Sequence, residues 1–170
     1  MNQNVCEESV FSRIYQKWGQ ALFNFIRYKT KDIDQANDLV QEAFITLWDH
    51  CADVSPEKAK SYLYTVANRR FLNQVAHLKV VHKHQSETIS GTEHESPEFV
   101  LEHQEFEHKL KKAIDALPEG QKTAFLMNRI DQMTYSEIAE VLEISVKAVE
   151  KRMHLALKTL RTEIQELNGR

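Results

Sequence analysis

At 170 residues the chain has the length of one large domain or two small ones, which argues against a large enzyme. Its 42% apolar and 28% charged residues are ordinary for a globular protein, and only 4 Gly and 3 Pro leave few turn residues for a many-stranded β fold, so an all-α chain is favoured. The net charge of −3 argues against a uniformly basic nucleic-acid binder. Cys6 and Cys51 match no metal or redox spacing, so a disulfide-stapled secreted scaffold has no support. No basic-then-apolar leader and no run of about 18 apolar residues occurs, and the expectation is a cytoplasmic protein without membrane insertion.

Residues 9–30 place Val10, Phe11, Ile14, Trp18, Leu22, Phe25 and Ile26 at steps of three and four, the apolar stripe of an amphipathic helix. Asp34 stands where it can cap a second helix, whose buried face is Ala36, Leu39, Val40, Ala43, Phe44, Leu47 and Trp48. Ser55-Pro56 then offers an N-cap and a first-turn proline to a third helix, in which Ala59, Tyr62, Leu63, Val66, Ala67, Phe71 and Val75 continue the period. From His82 to Pro97 the only large apolar residue is Ile89. Such a segment cannot bury enough surface to offset its ordering entropy and reads as a flexible linker. Beyond it, Phe99 to Leu117 is periodic and stops at Leu117-Pro118, and Gln121 to Ile130, Tyr135 to Leu142 and Val146 to Leu167 read as further helices. The sequence therefore predicts two small helical domains, residues 1–81 and 99–170, joined by a flexible linker over 82–98.

The overall charge conceals a segregation. Asp32 to Glu57 holds seven acids and no Lys or Arg, whereas Lys58 to Lys83 holds six Lys or Arg and no acid. Glu87 to Glu107 adds seven acids and no base, and Lys147 to Arg161 has five bases against Glu150. The alternation suggests two basic surfaces for polyanions and at least one acidic surface for a basic partner.

TYSEIAEVLEISVKAVEKRMHLALKTL is the most informative stretch. Thr134 with Glu137 has capping-box spacing, and Ile138, Ala139 and Leu142 make the inner face of a short helix. Glu143-Ile144-Ser145 interrupts it, and Ser145 can cap a second helix that turns Val149, Met153, Ala156 and Leu160 inward and Lys147, Glu150, Lys151, His154 and Lys158 outward. Two helices joined this way fit a helix-turn-helix that lays its second helix in the major groove. There Lys donates to guanine edges or phosphates, and Glu accepts from a cytosine amino group. The turn position most often held by Gly is Glu143, where a positive φ costs a non-Gly residue about 1 kcal/mol.

Taken in order, these parts resemble a bacterial extracytoplasmic-function sigma factor, the smallest class of promoter-recognition subunit of RNA polymerase. DQANDLVQEAFITLWDH resembles the family's core-binding helix, SYLYTVANRRFLNQV its −10-reading helix, and the stretch from DALPEGQK through the helix-turn-helix its −35-reading domain. The resemblance implies that Asp38, Gln41, Glu42 and Ile45 engage a basic coiled coil of the polymerase, with Leu39, Phe44 and Trp48 left as core. It implies that Tyr62, Tyr64, Asn68, Arg69, Arg70 and Asn73 read and open the −10 element, with Cys51 to Lys58 as the loop that receives the extruded base. Aromatics and amides beside cations suit strand opening, because a base leaving the stack is received by a ring or polar pocket while cations hold the backbone. The family often reads Ala-Arg-Asn or Ala-Asn-Asn where this chain has Ala67-Asn68-Arg69, so which residue contacts the base stays open.

On the second helix of the helix-turn-helix, Glu150, Lys151 and His154 correspond to the family's −35 contacts, with Lys147 nearer phosphate and Lys158 on the same face. The implied partners are core RNA polymerase and promoter DNA, and the family often adds an inhibitory anti-sigma protein. Neither a catalytic residue nor a cofactor is implied, and His77, His82 and His84 lack the fixed spacing of a metal site. The rival readings are an autonomous helix-turn-helix regulator, which leaves the acidic and tyrosine-basic helices unexplained, and a small helical enzyme, which needs a cluster of carboxylates and histidines that the chain lacks.

Overall fold

The computed structural model describes residues 4–84 and 101–168. It is all-α: α1 (Glu8–Thr30), α2 (Ile33–Asp49), α3 (Ala59–His84), α4 (Leu101–Asp115), α5 (Glu119–Arg129), α6 (Tyr135–Leu142) and α7 (Val146–Asn168), with no strand among the described residues. These fall into two compact units. One takes in α1, α2 and α3 together with Ser136–Glu143, the other α4, α5 and the residues from Ile144. From residue 85 on, the linker expected over 82–98 lies outside the described residues, and none of the described helices is long and apolar enough to cross a membrane.

In the first unit α1, α2 and α3 pack against one another, each through its apolar stripe. Leu22, Phe25 and Ile26 of α1 meet Leu39, Ala43 and Leu47 of α2 and Leu63, Ala67 and Phe71 of α3 in a core from which water is excluded. Each fully buried Leu, Ile or Phe there contributes roughly 1.5–3 kcal/mol. The α1–α2 turn is two residues long. Lys31 takes the left-handed conformation, φ 58°, and donates its backbone N–H to the Arg27 carbonyl, while the Asp32 side chain accepts from the Gln35 backbone N–H at 3.0 Å. The cap of α2 is therefore Asp32 and not Asp34, because Asp32 has the extended backbone, φ −128° and ψ 124°, that aims a side chain at the first free N–H groups.

Three further expectations change. Ser55 and Pro56 open a hydrogen-bonded turn, Lys58 N to Ser55 O at 3.0 Å, and α3 begins after it at Ala59. Trp48 is not core: it is 45% exposed and sets its ring edge-on to Phe11, 5.0 Å between centroids. Cys6 and Cys51, which have no motif spacing, are joined in a disulfide with Cα atoms 5.0 Å apart. That pairing follows from topology. The tight turn at Lys31–Asp32 folds α2 back along α1, so a residue just before α1 and one just after α2 arrive together.

In the second unit α7 packs against α4 and α5. Val149, Met153, Ala156 and Leu160, at steps of three and four, are buried with Ala113, Ile114, Ala124, Leu126 and Met127. Gly120 admits close approach, since a Cβ there would lie 3.1 Å from the Arg152 guanidinium carbon. Asn128 donates its side-chain amide to the Met133 carbonyl at 2.9 Å and fixes the turn that leads to α6. Glu143 does adopt the left-handed conformation, φ 54°, and the Ser145 hydroxyl accepts from the Ala148 backbone N–H at 3.1 Å, which caps α7 as its sequence predicts.

Candidate functional site

Three surfaces carry the residues singled out above. On α2, Asp38, Gln41 and Ile45 are exposed and Glu42 is half-buried, above a buried line of Leu39, Val40, Ala43, Phe44 and Leu47. Ile45 is 60% exposed. With Trp48, the residues 34, 38, 41, 45 and 48 make one outward stripe at steps of four and three, acidic where α2 begins and apolar where it ends. Sequence reasoning misses Trp48 as part of this stripe. Its three-residue step from Ile45 is the available signal, but it is also one residue beyond buried Leu47 and fits the edge of the core period equally well.

On α3 the predicted set divides. Tyr62 is half-buried at the start of the helix, with its ring 6.4 Å from that of His50 across the intervening loop, and Arg69, Arg70 and Asn73 are exposed. Tyr62, Arg69 and Asn73 lie seven and four residues apart and share a face. Tyr64 and Asn68 face the interior instead. Tyr64 is wholly buried against Phe25, with ring centroids 5.2 Å apart, and Asn68, 5% exposed, accepts from the Lys29 ammonium at 2.5 Å. Lys29 lies over the Phe71 ring, 4.6 Å from its centroid. A ring and an amide so enclosed position α3 rather than meet DNA, and their place at steps of three and four with Ala67 and Phe71 is the sign of it in the sequence.

Of the exposed cations of α3, Arg70 touches α2, whereas Arg69 pairs with Glu143. Arg70 donates from Nη1 to Glu42 Oε2 at 2.9 Å and from Nη2 to the Thr46 hydroxyl at 3.3 Å, so a residue read as a DNA contact and one read as a polymerase contact are neighbours. Gln35 donates to Gln74 at 2.7 Å farther along the same pair of helices. On α7, Lys147, Glu150, Lys151, His154 and Lys158 are all exposed, opposite the buried Val149, Met153, Ala156 and Leu160. Three of the five are lysines and a fourth is His154, spread over three helical turns: a surface suited to phosphates with one carboxylate acceptor, Glu150, among the donors.

Comparison with known proteins converges on one class. The chain matches the family description "Sigma-70 region 2" over residues 14–79 and "Sigma-70, region 4" over residues 107–160. It is 29% identical over 156 residues to the ECF RNA polymerase sigma factor SigM of Bacillus subtilis, covering 86% of this chain and 92% of that one. To the RNA polymerase sigma factor YlaC of the same organism it is 22% identical over 147 residues, covering 84% and 85%. The solved sigma factor RpoE in complex with the anti-sigma factor NepR, from Bartonella quintana, has the same fold, with a TM-score of 0.74 at 20% identity over 91% of this chain and 96% of that one. CnrH, solved with the cytosolic domain of CnrY, has a TM-score of 0.64 at 20% identity, over 92% and 88%. The class so defined is the polymerase-binding, DNA-binding subunit of transcription initiation. Within it the chain belongs to the sigma-70 family, in the extracytoplasmic-function group.

Proposed function

We propose that this chain acts in the cytoplasm, binds core RNA polymerase through the α2 stripe, and reads a promoter in two places. The α7 face of Lys147, Glu150, Lys151, His154 and Lys158 takes the −35 element in the major groove. Tyr62, Arg69, Arg70 and Asn73 of α3, with the loop from Cys51 to Lys58, open and hold the −10 element. The chain does no chemistry of its own, which belongs to the polymerase. The observation that carries this reading is the register of α7, where every residue assigned to DNA is exposed and Val149, Met153, Ala156 and Leu160 on the opposite face are buried.

Charge makes the dependence on polymerase physical. With a net charge of −3 the free chain has little of the phosphate neutralisation that drives autonomous binding, and two modest basic surfaces gain affinity together only when a common partner fixes their spacing. The solved RpoE relative is held in complex with an anti-sigma factor, which supports control of this chain by an inhibitory protein of that kind. Transcription in vitro with core polymerase on a genomic fragment library tests the reading: defined start sites are expected only when the chain and the core are both present. A gel shift by the free protein of equal strength and specificity overturns it in favour of an autonomous regulator.

A further inference from the structure

We propose that Cys6 and Cys51 form a reversible thiol–disulfide site that sets the order of the loop between α2 and α3, so that the oxidised chain opens promoters better than the reduced one. The inference rests on the proposed role of that loop at the −10 element. Disulfides in a reducing cytoplasm are usually transient, which makes this pair a redox-responsive site rather than a fixed staple.

Each cysteine sits in a short turn next to a buried valine. Before α1, Asn4 accepts on its side chain from the Cys6 backbone N–H at 3.1 Å, Glu7 donates its backbone N–H to the Asn4 carbonyl at 3.0 Å, and Val5 is wholly buried. After α2, Cys51 donates its backbone N–H to the Trp48 carbonyl at 3.2 Å, Asp53 donates to that of His50 at 3.0 Å, and Val54 is buried. The buried valines leave the two thiols in the same neighbourhood so that they can re-pair, the bond adds the restraint that fixes Cys51 at the start of the loop, and both cysteines are partly exposed, within reach of a small thiol. Cys51 begins the loop, and His50 beside it lies against Tyr62, the first residue of the proposed DNA face.

The oxidant is a low-molecular-weight disulfide. One protein thiolate attacks a sulfur of that disulfide, forming a mixed disulfide and releasing one small thiolate. The second protein thiolate attacks the protein sulfur of the mixed disulfide and releases the other. Two electrons pass from the cysteine pair to the small disulfide, and the two protons lost by the cysteines end on the two small thiols. Ordering the receiving loop beforehand removes part of its entropic cost on binding, and about 0.5–1.5 kcal/mol for one ordered side chain corresponds to roughly two- to tenfold in the equilibrium for holding the open strand.

The test uses the full chain equilibrated in mixtures of reduced and oxidised glutathione. Mass tagging of free thiols is expected to find two tags or none, interconverting with the mixture. Trypsin cleavage after Lys58 is expected to be slower in the oxidised protein, a readout that does not involve transcription. With core polymerase on the genomic fragment library, reduced wild type, Cys6→Ser and Cys51→Ser are expected to initiate at the same sites with roughly two- to tenfold less open complex, and the variants to ignore the glutathione ratio. The proposal falls if the pair never oxidises, if cleavage after Lys58 is the same in both states, or if oxidised and reduced wild type open promoters equally. If every form fails to initiate while tagging and cleavage respond as expected, the sigma-factor reading fails and so does the coupling to promoter opening.

Discussion

Arg70 and Glu42 form an ion pair, Nη1 to Oε2 at 2.9 Å, between the helix assigned to DNA and the helix assigned to polymerase. Both side chains are nearly half exposed, 44% and 46%, so the pair is screened and holds little of the fold's stability. A double-mutant cycle of Arg70→Gln and Glu42→Gln, read by urea denaturation, is expected to return a coupling below about 1 kcal/mol. A larger coupling would mean that the contact between α2 and α3 is structural and that Arg70 is not available to DNA.

The two tyrosines of α3 separate stability from function. Tyr64→Ala removes a wholly buried ring and is expected to cost about 3–5 kcal/mol in chemical denaturation. Tyr62→Ala, at a half-buried position, is expected to cost far less stability yet to reduce strand opening at the −10 element, read by permanganate reactivity of unpaired thymines.

On α7 the cations and the single acid should behave differently. Lys147→Ala and Lys158→Ala are each expected to lower the salt slope of holoenzyme binding to a −35-containing fragment by about 1, with little change in sequence preference. Glu150→Ala is expected to leave the slope nearly unchanged and to relax the preference at one base pair, detected by selection from a randomised −35 library.

Gly19 lies inside α1, where a Cβ would meet Phe44 and Tyr15 at 3.9 and 4.0 Å, ordinary contact distances. Gly19→Ala therefore gains helix propensity without a clash, and thermal unfolding is expected to show a gain of roughly 0.5–1 kcal/mol. A loss of stability would show that α1 and α2 approach more closely than these distances indicate.

The cysteine cross-link closes a sequence separation of 45 residues. On chain entropy, restricting a loop of that size in the unfolded state stabilises the fold by about 2–4 kcal/mol. Reduced wild type and Cys6→Ser are both expected to melt below the oxidised protein, by similar amounts, in differential scanning calorimetry.

The helices were readable because each buries one stripe at helical spacing. α7 is the clearest instance, with Val149, Met153, Ala156 and Leu160 inside and five polar residues outside as its sequence predicts. What failed to show depended on angle or on distance through space. Tyr64 and Asn68 look like DNA contacts by residue type and are buried by their register with Ala67 and Phe71. Trp48 sits at the edge of the α2 stripe, where one helical step of rotation decides between core and surface. Asp32 and Asp34 are equally good caps by composition, and only the backbone conformation chooses Asp32. The Cys6–Cys51 bond arises from how α1 and α2 fold back on each other, which no spacing rule encodes.

The chain has two tryptophans in opposite circumstances: Trp48 lies open on the α2 face, while Trp18 is flanked by the ammonium groups of Lys17 and Lys60, 4.8 and 4.6 Å from its ring. An indole that passes from water to a protein surface emits at shorter wavelength, so capture by a larger assembly through α2 would shift the light from Trp48 and leave that from Trp18 in place. Under the docking proposed above, the unlabelled chain carries its own optical reporter, with an internal reference.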